Sequence, residues 1–113
     1  KLRQGLPKLR QPRERAVLLA AFAQAKQRGD RTGKVFRLTH FAILNDHLHL
    51  LCEAESRTAL SRGLQGLLIR IAKALNKLWS RRGRVFADRY HDHILKSPRE
   101  VRNALRYLFG NGR

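Results

Sequence analysis

Val35-Phe36-Arg37-Leu38-Thr39-His40-Phe41-Ala42-Ile43-Leu44-Asn45-Asp46-His47-Leu48-His49-Leu50-Leu51-Cys52-Glu53-Ala54 reads as two β-strands joined by a short turn. Val35 to Leu44 is rich in β-branched and aromatic residues, Asn45-Asp46 suits a tight hairpin, and His47 to Ala54 forms the return strand. Alternation puts Leu48, Leu50, Cys52 and Ala54 on one face of that strand, and His47, His49, Leu51 and Glu53 on the other. Two imidazoles on one strand face can reach a single metal ion while Leu48 between them anchors the strand. The same spacing suits a structural pair, and a mononuclear catalytic site needs further ligands and an open position. His40, set among apolar residues, is expected to be a hydrogen-bonded core histidine. Cys52 shares a face with Leu50, has no neighbouring base, and is expected to be a core residue.

Upstream of the hairpin, Pro12 can occupy the first turn of a helix running to about Arg28, with Ala16, Leu19, Ala20, Phe22 and Ala23 on its apolar side. Gly29-Asp30-Arg31-Thr32-Gly33 is a turn by composition, and Lys1 to Arg3 reads as the end of a strand. Downstream, Thr58 to about Ser80 carries Leu60, Leu64, Leu67, Leu68, Ile71, Leu75 and Leu78 at helical spacing, while Arg62, Arg70, Lys73 and Lys77 take another face. Gly63 and Gly66 weaken its first turns. Arg81-Arg82-Gly83-Arg84 ends the helix, and Val85 to Leu95 is expected to be extended, in one or two short strands. Ser97-Pro98-Arg99-Glu100 is a capping box with proline at the first helical position, opening a helix to about Phe109 with Gly110 as its stop. The fold class expected from this order is α+β: one domain over 1–113, an antiparallel sheet of four to five strands with helices packed on it, loosely ferredoxin-like.

The 113 residues include 42% hydrophobic side chains, enough for a core and too many for a disordered basic tail. A single cysteine excludes an internal disulfide framework and a CxxC zinc site, and no apolar run approaches the ~20 residues of a membrane span. The absence of methionine, even at position 1, suggests trimmed termini. With 25 Lys and Arg against 8 Asp and Glu, the formal net charge is +17. A charge of that size favours a polyanion as partner, because neutralised phosphates release counterions on binding. Composition alone fits a ribosomal or chromatin-type binder equally well, and it favours an intracellular, non-membrane setting.

Two further groups bear on chemistry. His91-Asp92-His93 repeats the two-residue spacing, but its charged centre would not anchor a strand in a core, so it reads mainly as surface or nucleic-acid contact. On the last helix Asn103, Tyr107 and Asn111 step by four along one face, while Val101, Ala104, Leu105 and Leu108 form the buried side.

Four ordered blocks carry a family likeness. They are Asp46-His47-Leu48-His49-Leu50; the long helix with Leu60-Ser61-Arg62-Gly63-Leu64-Gln65-Gly66-Leu67 and Ala74-Leu75-Asn76; Gly83-Arg84-Val85-Phe86-Ala87-Asp88-Arg89-Tyr90-His91; and Ser97-Pro98-Arg99-Glu100-Val101-Arg102-Asn103-Ala104-Leu105-Arg106-Tyr107-Leu108. Together, over roughly 34–111, they resemble the single-tyrosine HUH transposases, and most nearly the REP-associated tyrosine transposase branch of bacteria. The resemblance implies the HUH endonuclease fold and a metal-dependent single-stranded DNA endonuclease and strand transferase acting through a 5′-phosphotyrosine at hairpin or palindromic ends. It implies His47, His49 and Asn111 as ligands of Mg²⁺ or Mn²⁺, and Tyr107 rather than Tyr90 as the nucleophile. It further implies Arg62, Arg70, Lys73, Lys77, Arg81, Arg82, Arg84 and Arg89 as DNA contacts, a nucleoid-associated place in the cytoplasm, and a homodimer in some relatives. Gly110, and Gly112 where the family commonly has proline, depart from the pattern. An early helix end there would displace Asn111 and leave Gln65 or Glu53 to complete the site. A catalytically decayed module that binds DNA hairpins, and a general basic RNA binder, are the competing readings.

Overall fold

The computed structural model describes residues 1–32, 35–87, 95 and 97–111, with the backbone alone at 29–32 and 107–111. In chain order these form α1 (Pro12–Thr32), β1 (Phe36–Ile43), β2 (Leu48–Ala54), α2 (Arg57–Leu78) and α3 (Pro98–Asn111).

β1 and β2 pair antiparallel, closed by Leu44 N–H donating to the His47 carbonyl at 3.0 Å around Asn45-Asp46. The register slips between Leu38 and His40, so Thr39 is a bulge, and its hydroxyl donates to the Leu51 carbonyl at 2.8 Å. The extra residue lets Leu38, Phe41 and Ile43 all face the helices, opposite Cys52, Leu50 and Leu48. Ala42, paired with His49, falls on the other face.

α1 and α2 fill the apolar side of the hairpin. Leu18, Phe22, Leu67, Ile71 and Leu75 join Leu38 and Ile43 in one cluster, and Phe22 stacks on Phe41 with ring centroids 4.2 Å apart. Each fully buried leucine there contributes roughly 1.5–3 kcal/mol. α3 also lies against β1. Ala42 is 7% exposed yet stands outside the core cluster, which leaves the histidine face of β1 to α3.

The expected sheet of four to five strands, and with it the ferredoxin-like HUH architecture, is not what forms: among the described residues the sheet has two strands. Lys1–Arg3 and Val85–Ala87 have strand-like sequences, but they meet in one isolated bridge, Leu2 to Phe86. Leu2 N–H is spent on the Asp46 carbonyl at 2.7 Å, so the segment meets the hairpin at its turn instead of extending its edge.

The helix boundaries differ in informative ways. α2 starts at Arg57, capped by Ser56 Oγ accepting from Ala59 N–H at 3.1 Å. α3 opens as its capping sequence requires, with Ser97 Oγ accepting from Glu100 N–H at 3.2 Å, and it continues through Gly110 to Asn111. α1 runs on to Thr32, past the expected stop at Arg28. Its buried stripe is Glu14, Leu18, Phe22 and Ala25, whereas Ala16, Leu19, Ala20 and Ala23 are exposed. Alanines bury too little area to fix a helix phase, and Glu14 within the stripe disguised the true one.

Gly63 packs where α2 crosses β1, and a Cβ there would collide with the Phe36 ring. At Gly66 the nearest atom to an added Cβ is the mobile tip of Arg70, 3.4 Å away. Gly63→Ala is therefore expected to lower stability by about 1–2 kcal/mol despite its better helix propensity. Gly66→Ala is expected to raise it by up to ~1 kcal/mol. Urea melts of the two variants check this, and the opposite order would contradict the packing described.

Candidate metal centre and cationic cleft

His47 closes the turn and His49 is the second residue of β2, so the strand's alternation brings both rings to the face away from α1 and α2. The ring centroids stand 4.9 Å apart at 84°. At a metal–nitrogen distance of about 2.1 Å, a liganding ring's centroid lies roughly 3.2 Å from the ion, so two rings at about 90–110° stand about 4.5–5.2 Å apart. The observed separation fits a shared cation, and it also fits an edge-to-face contact. Asp46 orients one of the two rings. Its Oδ1 is 2.8 Å from His47 Nδ1, and since an ionised carboxylate only accepts, Nδ1 is the donor; in the neutral ring that leaves the Nε2 lone pair for a ligand. That hydrogen bond from His47 holds the Asp46 carboxyl below its ordinary value. Burial, then the neighbouring His47, lowers the His49 pKa, which favours the neutral imidazole that metal binding requires.

Among the described residues no group of three or more His, Cys, Asp or Glu side chains is placed to hold a metal ion. Glu53, four residues beyond His49 on the same strand, is about 13 Å along it, and Gln65 is exposed on α2, across the hairpin. Asn111 and Tyr107 lie on α3 one helical turn apart, with their side chains outside the described residues. Tyr90, Arg89 and the His91-Asp92-His93 group also lie outside them. His40 is half-buried on β1 opposite Leu51, on the histidine face.

The cationic residues sort by position. Lys73, Lys77, Arg81 and Arg82 line one open cleft of about 510 Å³ around Asn76, Ser80 and Gly83. Arg62 and Arg70 ride the same face of α2 further back, with Arg62 about 16 Å from Lys73 along the axis. Arg70 is half-buried, and burial followed by the like charge of Arg28 lowers its pKa. Arg84 is exposed just beyond the cleft.

The cleft is built by the way α2 ends. Ser80 N–H donates to the Lys77 carbonyl at 3.3 Å and Arg81 N–H to the Asn76 carbonyl at 3.0 Å, the paired bonds of a Schellman motif. Ser80 takes the left-handed position at φ 52°, which costs a non-glycine residue about 1–2 kcal/mol. Asn76 braces the loop, accepting from Arg81 Nη1 at 2.7 Å and donating to the Gly83 carbonyl at 2.9 Å. Beneath, Trp79 Nε1 donates at 2.8 Å to Glu14, a carboxylate only 3% exposed on α1. Charge patterning finds the lysines and arginines of this cleft; it does not mark the bracing roles of Asn76, Ser80 or Glu14.

Cys52 packs against the core, and burial pushes its thiol up to about 12 from 9.0. The folded chain thus holds the protonated form, an advantage present below pH 9 and lost as pH rises from 9 toward 12. Native protein at pH 8 is expected to resist iodoacetamide at least 100-fold better than protein in urea. Equal rates followed by mass spectrometry would show Cys52 to be open. Among the described residues no helix is long and apolar enough to cross a membrane. Comparison with protein-family models, with curated proteins and with solved structures finds no match to this chain.

Proposed function

We propose that the chain is a divalent-metal-dependent single-stranded DNA nicking and joining enzyme of transposase type, acting near hairpin or palindromic ends. The observation that carries the reading is the His47–His49 pair, set at ligand spacing with Asp46 fixing the tautomer of one ring. The ordered sequence blocks that resemble those of single-tyrosine HUH transposases and the cationic cleft on α2 support it. His47 and His49 would hold Mg²⁺ or Mn²⁺, with Asn111 as the third ligand. Their nitrogen-rich set makes manganese a good occupant, since magnesium prefers oxygen. A cation held there would supply polarisation of the scissile phosphate and offset its developing charge. The Tyr107 phenol loses its proton to solvent, its oxygen bonds to phosphorus, and the bond to the 3′ oxygen breaks. That oxygen takes up a proton to become a free 3′-hydroxyl. The 5′-phosphotyrosine retains the bond energy, so rejoining needs no ATP. Lys73, Lys77, Arg81 and Arg82 hold the strand by its phosphates.

A second reading, a DNA-hairpin-binding module without catalysis, is favoured by the cleft, which is braced through Asn76 and Glu14 independently of the histidines. Incubation of the protein with a labelled single-stranded palindromic oligonucleotide and Mn²⁺ separates the two. A covalent adduct that requires the metal supports the enzyme. Tight binding with no adduct across permissive metal and salt conditions supports the module, and preference for RNA over hairpin DNA removes both.

A further inference from the structure

We infer that the N-terminal segment belongs to the nucleic-acid path: Lys1 and Arg3, with Arg84, carry the backbone of one DNA strand from the histidine turn to the α2 cleft. The inference rests on the reading of those two places as parts of a single-stranded DNA site. One short segment is hydrogen-bonded to the histidine turn on one side and, on the other, to Val85–Ala87, the stretch that follows the cleft in the chain. Leu2 N–H donates to the Asp46 carbonyl at 2.7 Å, at the turn that presents His47. Arg3 N–H donates to the Val85 carbonyl at 2.9 Å, and Ala87 N–H to the Lys1 carbonyl at 2.8 Å. Extended segments pair about 4.8 Å apart, so the Asp46 turn and the Val85–Ala87 segment are separated by about 10 Å. That is the axial length of about three phosphates of one strand.

Side-chain direction across the gap follows from alternation. Leu2 is buried, so its neighbours Lys1 and Arg3 face solvent, and both are exposed. Lys1 Nζ lies 3.8 Å from Asp46 Oδ2, the carboxylate that holds His47. Exposed Arg84 stands between Val85 and Gly83, which lines the cleft. These three exposed cations lie along the segments that link the histidine turn to the cleft.

The test is fluorescence anisotropy of a labelled single-stranded oligonucleotide against salt concentration, comparing wild type with K1Q/R3Q and a control, K26Q/R57Q, whose charges lie elsewhere. Loss of two phosphate contacts is expected to weaken binding roughly tenfold at 0.15 M salt and to reduce the slope of log K against log salt by about 1.4. The control is expected to stay within about twofold of wild type, and Leu2 is untouched, so the melting temperature of K1Q/R3Q should match wild type. If Lys73→Gln/Lys77→Gln lowers the slope but K1Q/R3Q does not, the path is wrong and the cleft reading stands. If wild type shows no salt-dependent binding, both fall.

Discussion

Tyr107→Phe is expected to abolish the covalent protein–DNA adduct, while Tyr90→Phe retains it. The substitution removes one oxygen and keeps the ring, so α3, started by Ser97 and Pro98 and continuous to Asn111, has no reason to change. A phenol with a free pKa near ~10 is a poor nucleophile at neutral pH without a cation beside the phosphate. Removal of an attacking atom has no partial substitute, and a loss of at least ~10³-fold is expected. The readout is a radiolabelled oligonucleotide retained on the protein in denaturing gels with Mn²⁺ present. An adduct that survives in Tyr107→Phe would assign the nucleophile elsewhere and remove the mechanism proposed.

Charge reversal of the cleft has the second largest expected effect. Lys73→Glu/Lys77→Glu is expected to weaken single-stranded DNA binding on the order of 100-fold at physiological salt, through two lost phosphate contacts plus two new repulsions. Both lysines are exposed on the face of α2 opposite Leu64, Leu67, Ile71 and Leu75, so the core is unaffected and the melting temperature should hold. Arg81 is a poorer choice, because its guanidinium also braces Asn76. A change of less than threefold by anisotropy would show that the strand does not use this cleft.

What could be read from the chain depended on how locally each feature is encoded. The hairpin was legible because alternation, the Asn45-Asp46 turn and the histidine spacing all lie within one contiguous stretch. The core stripe of α2 and the Ser97 cap were legible for the same reason. The strand count was not, since Lys1–Arg3 and Val85–Ala87 have the composition of strands, yet they meet in one bridge and Leu2 N–H, on the other edge of its segment, goes to the hairpin turn. In α1 the sequence points to Phe22 but not to Leu18 or Ala25, because Ala16, Leu19, Ala20 and Ala23 suggest a different phase. The cleft's cations could be named but not its frame: the Glu14–Trp79 bond joins residues 65 apart in sequence, and no periodicity reports that.

The Thr39 bulge sets a parity rule for β1. A regular ribbon places Leu38 and Phe41 on opposite sides, and one supernumerary residue reconciles them. Deleting that residue would turn half of the strand inside out, trading the apolar lining under α1 and α2 for the side that His49 shares. The histidine turn and the two-helix core are thus tied to the same odd number, and neither can drift by a residue without the other.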